Sequence, residues 1–422
     1  MDAFVVRAGS PLSGTVRVSG ATKNAGLKQM AAALLAPGVT VLRNVHPVLD
    51  LEAMLDVMRA IGADVGWSDE NELTIDATGP LTPEAPYELV TRMRASINVL
   101  GPLLARCHEA RVAMPGGDNI GSRKLDMHFR GLQAMGAELD VVHGFIEARC
   151  QALGGARIVL DFPSVGATEN LLTAAVLAKG ETVLDNAARE PEITDLAAFL
   201  NRMGAKVHGA GTSTIEVEGV DGLSPVDNEI MGDRIEAGTL LMACGVAGGE
   251  VTIEGTRREH LEMVVLKLGE MGLRVSRTPD GLWARCDERL SAIDVATLPY
   301  PGFATDFMPL VVALLATADG SAIVTENVFD NRFGFVNELH RMGADIRNEG
   351  RHAVVRGVDR LSGAPVRAQD VRAGAALVVA GLAADGETRV LDPYHVDRGY
   401  PDLAGHLHAL GADVRRVRET AT

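Results

Sequence analysis

The sequence predicts a two-domain chain of mixed α and β structure, with three copies of one repeat in each domain. Three observations lead there. A short pattern (an apolar residue, Gly, usually Ala, a polar residue, then an aliphatic one) recurs six times. Between its copies sits a second unit, an apolar helical stretch that ends in Gly and then alternates. The length of 422 residues suits two or three domains.

The first pattern begins at Ile61-Gly62-Ala63-Asp64-Val65 and Met135-Gly136-Ala137-Glu138-Leu139. It returns at Met203-Gly204-Ala205-Lys206-Val207 and Met271-Gly272-Leu273-Arg274-Val275. The last copies are Met342-Gly343-Ala344-Asp345-Ile346 and Leu410-Gly411-Ala412-Asp413-Val414. Successive glycines are 74, 68, 68, 71 and 68 residues apart. Each copy reads as a helix that stops at a C′ glycine and runs straight into a strand. Leu196, Phe199, Leu200 and Met203 lie on one helical face upstream of one such glycine. The second unit spans residues 31–41, 171–184, 240–253, 311–324 and 377–390. Each repeat therefore carries two helices and several strands in about 70 residues, an order that fits α/β or α+β. Isolated Met-Gly-Ala caps are common, but six at near-constant spacing describe a repeat.

Composition narrows the function. Lys and Arg number 40 against 56 Asp and Glu, a net charge of −16, which disfavours nucleic acid and anionic membranes as partners. The longest apolar runs, such as 373–384, are too short to span a bilayer. The first residues show neither a basic region nor a long apolar one, so no signal peptide is expected. Cys107, Cys150, Cys244 and Cys286 lack pair spacing. They argue against zinc and against a disulfide framework, and they suit a reducing cytoplasm. Aromatics are 4% of the chain, so the core must be built from small aliphatic side chains.

Against this acidic background, basic residues in glycine-rich or turn-like settings stand out. Residues 115–124, Pro-Gly-Gly-Asp-Asn-Ile-Gly-Ser-Arg-Lys, form a loop by composition, before a helix expected near His128 to Met135. Glycine backbone beside Arg123 and Lys124 would suit an anion, although most such loops are only turns. Lys23, Arg94, Arg332, Arg372 and Arg398 stand in similar polar contexts. Arg offers a planar fork for carboxylate or phosphate, but each alone reads better as a surface ion pair.

Taken in order, these segments resemble the enolpyruvyl transferases, most closely the branch whose acceptor is UDP-N-acetylglucosamine. The carrying motifs are Lys23-Asn24, Met93-Arg94-Ala95-Ser96, the loop from Pro115 to His128, and Ser164-Val165-Gly166-Ala167-Thr168. They continue through Arg189-Glu190-Pro191-Glu192, Asp233-Arg234-Ile235-Glu236, Thr305-Asp306 and the run from Thr325 to Phe333. Asp370-Val371-Arg372-Ala373 and His395-Val396-Asp397-Arg398-Gly399-Tyr400 complete the set. The match runs from about Phe4 to Val414. It implies an α/β, two-domain inside-out barrel with three βαβαββ units per domain, helices inside and sheets outside. Residues 1–22 with 231–422 would form one domain. Residues 23–230 would form the other, carrying a mobile catalytic loop at 115–124. Substrates would bind in a cleft that closes.

The resemblance also implies the chemistry: the enolpyruvyl group of phosphoenolpyruvate passes to a hydroxyl by addition and elimination, with release of phosphate. Lys23, Asn24, Arg123, Arg332, Arg372 and Arg398 match the phosphoenolpyruvate grip, and Lys23 and Arg398 also count with the catalytic residues. Asp306 matches the base that takes the acceptor's hydroxyl proton; it could alternatively cap the helix after it. Arg94, Arg123, Lys124, Leu125, Asp126, Met127, His128, Phe162, Ser164, Val165, Gly166, Asp306 and Val328 match the nucleotide-sugar contacts. Asp118 stands where most relatives carry the Cys that serves as general acid and as the target of fosfomycin. A carboxylate there implies an acid of low reference pKa and resistance to that epoxide. No metal or cofactor is implied.

Four departures bear on the acceptor. Thr22 is an extra residue, Lys124 replaces a usual Pro, Ala304 replaces another, and Met308 replaces a Gln. They leave open a paralogue acting on another uridine nucleotide such as UMP, or a non-catalytic nucleotide-sugar-binding regulator. Intact Lys23, Asp306 and Arg398 speak against the second. The branch that uses shikimate phosphate lacks the Asp118 loop and the uridine run.

Overall fold

The computed structural model describes residues 2–118, 120–121 and 124–418. The chain divides into two compact units. Unit 1 comprises Met1–Ser19, Asn119–Ser122 and Gly232–Thr422, and unit 2 comprises Gly20–Asp118 and Arg123–Met231. The boundaries thus fall at 19/20 and 231/232, a few residues from the expected 22/23 and 230/231.

The repeat is visible element by element. In one copy, strand Arg157–Val159 leads into helix Val165–Ala175 and strand Glu181–Asp185. Helix Pro191–Arg202 and strands Lys206–His208 and Thr214–Glu218 follow. The first two strands pair in parallel and the rest are antiparallel, giving a four-stranded sheet. Among the described residues, six four-stranded sheets have this plan, three in each unit, and a two-stranded one joins Leu361–Ser362 to Ala384–Asp385.

Burial separates two classes of helix. One helix of each repeat is enclosed: every residue of Leu27–Ala33, Met308–Leu315 and Val371–Gly381 is buried, as is most of Leu100–Cys107, Val165–Ala175 and Arg234–Ala247. The other helix buries one stripe. Leu196, Phe199, Leu200 and Met203 are its inward face in Pro191–Arg202. The strands alternate, as in Glu181–Asp185, where Thr182 and Leu184 turn inward. Each unit is therefore an inside-out α/β barrel, with helices at the centre and sheets around them.

The six glycines of the repeat pattern all take positive φ, from 84° to 111°. They end the stripe-burying helices and release the chain into the next strand, as a C′ glycine does. The enclosed helix of one repeat ends differently. Leu100–Cys107 stops at His108, a non-glycine residue at φ 63°. That repeat escaped the helix–Gly–strand pattern for this reason.

The order of strands explains the split of unit 1. Asp2–Arg7 lies between Glu387–Leu391 and Asp413–Arg418, antiparallel to both. Leu12–Arg17 pairs in parallel with Gly249–Glu254. In unit 2 the parallel partner of Val39–Arg43 is Asp227–Glu229, the last strand before the chain returns.

Candidate functional site

The starts of the enclosed helices carry the sequence-predicted residues. In unit 1, Asp306 lies in the 3-10 turn Thr305–Phe307 before Met308–Leu315, and Arg372 lies in the first turn of Val371–Gly381. Asp370 caps that second helix, accepting from the backbone N–H groups of Arg372 at 2.8 Å and Ala373 at 2.9 Å. Asp233 caps Arg234–Ala247 in the same way, accepting from Ile235 and Glu236. Polar caps and free N–H groups at helix starts favour negative charge nearby.

Arg372 Nε donates to Asp306 Oδ1 at 2.8 Å. Its guanidinium also lies over the Tyr400 ring, 5.4 Å from the centroid, and the Tyr400 hydroxyl bonds Thr239 at 2.9 Å. Burial pushes the Asp306 carboxyl up, but Arg372, Arg332 and Arg234 outweigh it and hold it at about 2. A third of the Asp306 side chain stays exposed, so solvent reaches this carboxylate. Asp233 shows the opposite balance: burial raises it to about 7 despite Arg372. Burial alone would lower Arg372, yet it is raised, because it faces Tyr400, Asp306 and Asp233.

Arg234, Arg332, Arg372 and Arg398 are all buried. Buried charge is costly unless it is paired. Arg332 Nε and Arg372 Nη1 are buried donors with no hydrogen-bond partner among the described residues. They sit in a cluster where Asp306 already has its arginine, which is the setting of an anion site.

Glu326 shapes this region and was not singled out from sequence. Fully buried, it accepts from the Thr297 and Thr305 hydroxyls, both at 2.9 Å, and from the N–H groups of Val328 and Phe329. It thereby ties the Asp306 turn to Val328. Met308, expected from the sequence to bear on the acceptor, is fully enclosed in the core. Asp306 does not cap the following helix; its carboxylate goes to Arg372.

In unit 2, Lys23 and Asn24 lie in a π-helical turn, Thr22–Gly26, before Leu27–Ala33. Its wider ring is closed by Gly26 N–H donating to Ala21 O at 3.0 Å. Thr22, expected from the sequence to be an extra residue, is the first residue of this turn. Its buried hydroxyl accepts from His46 N–H at 2.9 Å and donates to Gly20 O at 3.2 Å. Lys23 Nζ pairs with the buried Asp50 carboxylate.

Arg94 opens the 3-10 turn Arg94–Val99, which runs into Leu100–Cys107. Ser164 caps Val165–Ala175, its hydroxyl accepting from Ala167 N–H at 3.3 Å. Val165 and Gly166 form that helix's first turn. Phe162 just before it is exposed. Asp126–Ala134 is the expected helix after the loop, beginning slightly earlier than His128. Lys124 is exposed, Leu125 is buried, and Met127 is half-buried. Asp126 faces Arg130 one turn on, at 3.3 Å. His128 is buried and touches Asn170. Asp118 is half-buried, in a stretch without helix or strand. A β-carbon on Gly116 would lie 1.9 Å from Thr91 O, so only glycine lets the loop pass there. Arg123 lies outside the described residues.

Unit 1 therefore brings together Asp306, Arg332 and Arg372 and adds Arg234 and Asp233. Unit 2 brings Arg94 to His128, close to the Ser164 helix start.

Helix starts that gather buried arginines, on three-fold repeats of this plan in two units, define a class. The chain belongs to the EPSP synthase family of enolpyruvyl transferases, whose model, described as EPSP synthase (3-phosphoshikimate 1-carboxyvinyltransferase), matches residues 6–407. Among curated relatives, the chain is 52% identical over 422 residues to UDP-N-acetylglucosamine 1-carboxyvinyltransferase of Corynebacterium jeikeium (strain K411), covering 99% of each. It is 50% identical to the protein of that name from Nocardia farcinica (strain IFM 10152), again over 99% of each. Among solved structures, it is similar to the enolpyruvyl transferase NikO from Streptomyces tendae, with a TM-score of 0.87, 28% identity and 99% coverage of both chains.

Proposed function

We propose that this chain transfers the enolpyruvyl group of phosphoenolpyruvate to the 3-hydroxyl of UDP-N-acetylglucosamine and releases phosphate. This would be the first committed step of peptidoglycan synthesis, carried out in the cytoplasm. One observation carries the phosphoenolpyruvate half: two buried guanidinium donors in one cluster, Arg332 Nε and Arg372 Nη1, have no acceptor among the described residues. A small anion with carboxylate and phosphate ends supplies such acceptors, and bonds to charged groups are worth about 1.5–3 kcal/mol each. Identity near 50% to relatives named for the UDP-N-acetylglucosamine reaction, against 28% to NikO, supports the acceptor.

The reaction adds a proton to the methylene carbon, leaving C2 cationic. The acceptor oxygen then bonds to C2 as its proton leaves. Loss of phosphate and of one methyl proton restores the double bond. Asp118 takes the role of acid and Asp306 that of base, while Lys23, Arg123, Arg332, Arg372 and Arg398 hold the phosphoenolpyruvate. Asp306 at about 2 is a weak base while three arginines face it. An anion bound to Arg372 and Arg332 cancels part of their field, so substrate raises the proton affinity of Asp306 when it is needed.

Purified protein given phosphoenolpyruvate should release phosphate with UDP-N-acetylglucosamine and not with UMP. Release with UMP alone would transfer the assignment to another uridine-nucleotide acceptor. Release with neither would refute the catalytic reading for both. We further propose that Asp118 makes the enzyme resistant to fosfomycin, because a carboxylate opens an epoxide far more slowly than a thiolate does.

A further inference from the structure

The Asn170 side-chain amide, in the enclosed helix Val165–Ala175, has only one workable orientation. The Gly101 N–H can only donate, so the atom it meets at 2.9 Å is Oδ1. The Ile97 carbonyl can only accept, so Nδ2 faces it at 3.1 Å. The other Nδ2 hydrogen points at His128 Nδ1, 3.1 Å away. An amide nitrogen does not accept, so Nδ1 must carry the lone pair. A neutral imidazole with a bare Nδ1 has its proton on Nε2.

The surroundings agree. The His128 ring is 4% exposed. Burial lowers its pKa to about 4, with Arg94 adding to the effect and Asp126 opposing it. Nε2 has no hydrogen-bond partner among the described residues. It lies beside the start of the Ser164-capped helix, 3.5 Å from where a β-carbon on Gly166 would stand. An N–H donor, a nearby arginine and a helix start all favour a negatively charged oxygen.

We propose that Asn170 is a positioning residue that locks His128 as a neutral Nε2–H donor to a diphosphate oxygen of the uridine nucleotide. The ligand half rests on the acceptor assigned above; the tautomer half stands on the protein alone. The lock sets a rule of recognition: the atom opposite Nε2 must accept.

The test is long-range 1H–15N spectroscopy of the imidazoles in the full-length protein, with the His128 signals identified by their loss in His128→Gln. Near neutral pH the unliganded protein should show the Nε2–H pattern, and UDP should shift Nε2 while uridine leaves it in place. An Nδ1–H or imidazolium pattern would overturn the lock. A shift with uridine would overturn the diphosphate contact. Asn170→Asp keeps an acceptor for Gly101 but reverses the polarity toward His128. It should invert the tautomer and raise KM for UDP-N-acetylglucosamine about tenfold, leaving KM for phosphoenolpyruvate in place. A KM for both substrates equal to the parent's would refute the positioning role. Failure of UDP to bind at all would overturn the functional reading and the ligand half together, while the tautomer stands or falls on the unliganded spectrum.

Discussion

Asp195 should be a pH-dependent weak point of unit 2, and Asp195→Asn should remove it. The side chain sits on helix Pro191–Arg202, with Oδ2 accepting from Gln29 Nε2 at 2.6 Å. Burial raises its pKa from 3.8 to about 6, with Glu192 adding to the rise and the Met231 N–H, Lys28 and Arg202 opposing it. A carboxyl whose folded pKa lies above its unfolded one favours folding while protonated. That contribution is complete below about 3.8 and is lost as pH rises through about 6. A shift of about 2 units at roughly 1.4 kcal/mol per unit gives about 3 kcal/mol, and water at the partly exposed carboxylate reduces this to about 2 kcal/mol. An amide does not titrate, so the stability difference between variant and parent should grow by about 1 kcal/mol in the variant's favour from about pH 4.5 to about pH 7.5, a window that covers most of the titration. Trp67 in unit 2 and Trp283 in unit 1 are the two tryptophans. In a Trp283→Phe background, urea unfolding followed by fluorescence therefore reports on unit 2. An equal difference at both pH values would show that Asp195 does not carry the titration.

Asp306→Asn can still accept from Arg372. It should lose roughly 10²–10⁴-fold in kcat, measured by phosphate release, with little change in KM for phosphoenolpyruvate. A KM effect instead would make Asp306 a binding group. Asp118→Cys should gain one covalent fosfomycin, seen by intact mass, where the parent gains none; an unlabelled variant would argue against the role given to this position. Thr182 Oγ1 is buried on the inner side of its strand without a partner among the described residues, as Thr40 and Thr388 are on theirs. Thr182→Val should raise stability by about 1 kcal/mol in urea unfolding, and a loss would mean the hydroxyl has a partner after all.

The repeat was readable in the sequence because its punctuation is chemical. A glycine at positive φ between a helix and a strand leaves a mark at Gly62 and again at Gly411 that few other residues could leave. Where His108 takes the same backbone role, the mark disappears. The site was readable where arginines stand in short motifs, as at Arg372 and Arg398. Its supports were not. Glu326, Asn170 and Asp195 look like surface residues in a pattern of polar and apolar letters, and only the closed barrel shows them enclosed by donors. The paired Lys28 and Glu169, both buried in enclosed helices, are hidden in the same way. Thr22 reads as a disruption in the sequence, and the structure places it at the start of a π turn, a wider helical ring that no polar–apolar pattern announces.

The strand order has a consequence for the chain as it emerges from the ribosome. Every strand of unit 2 lies between its own first and last residues, so its three sheets are complete once Asp227–Glu229 has been made. Unit 1 is different. Its strand Asp2–Arg7 precedes all of unit 2 in the chain, yet its neighbours Glu387–Leu391 and Asp413–Arg418 are translated only after unit 2 has been made. Translation thus imposes a schedule, the interrupted unit closing after the one inserted into it. During that interval Asp2–Arg7, with Phe4, Val5 and Val6 in succession, is an apolar strand without its neighbours, the kind of edge on which chains aggregate.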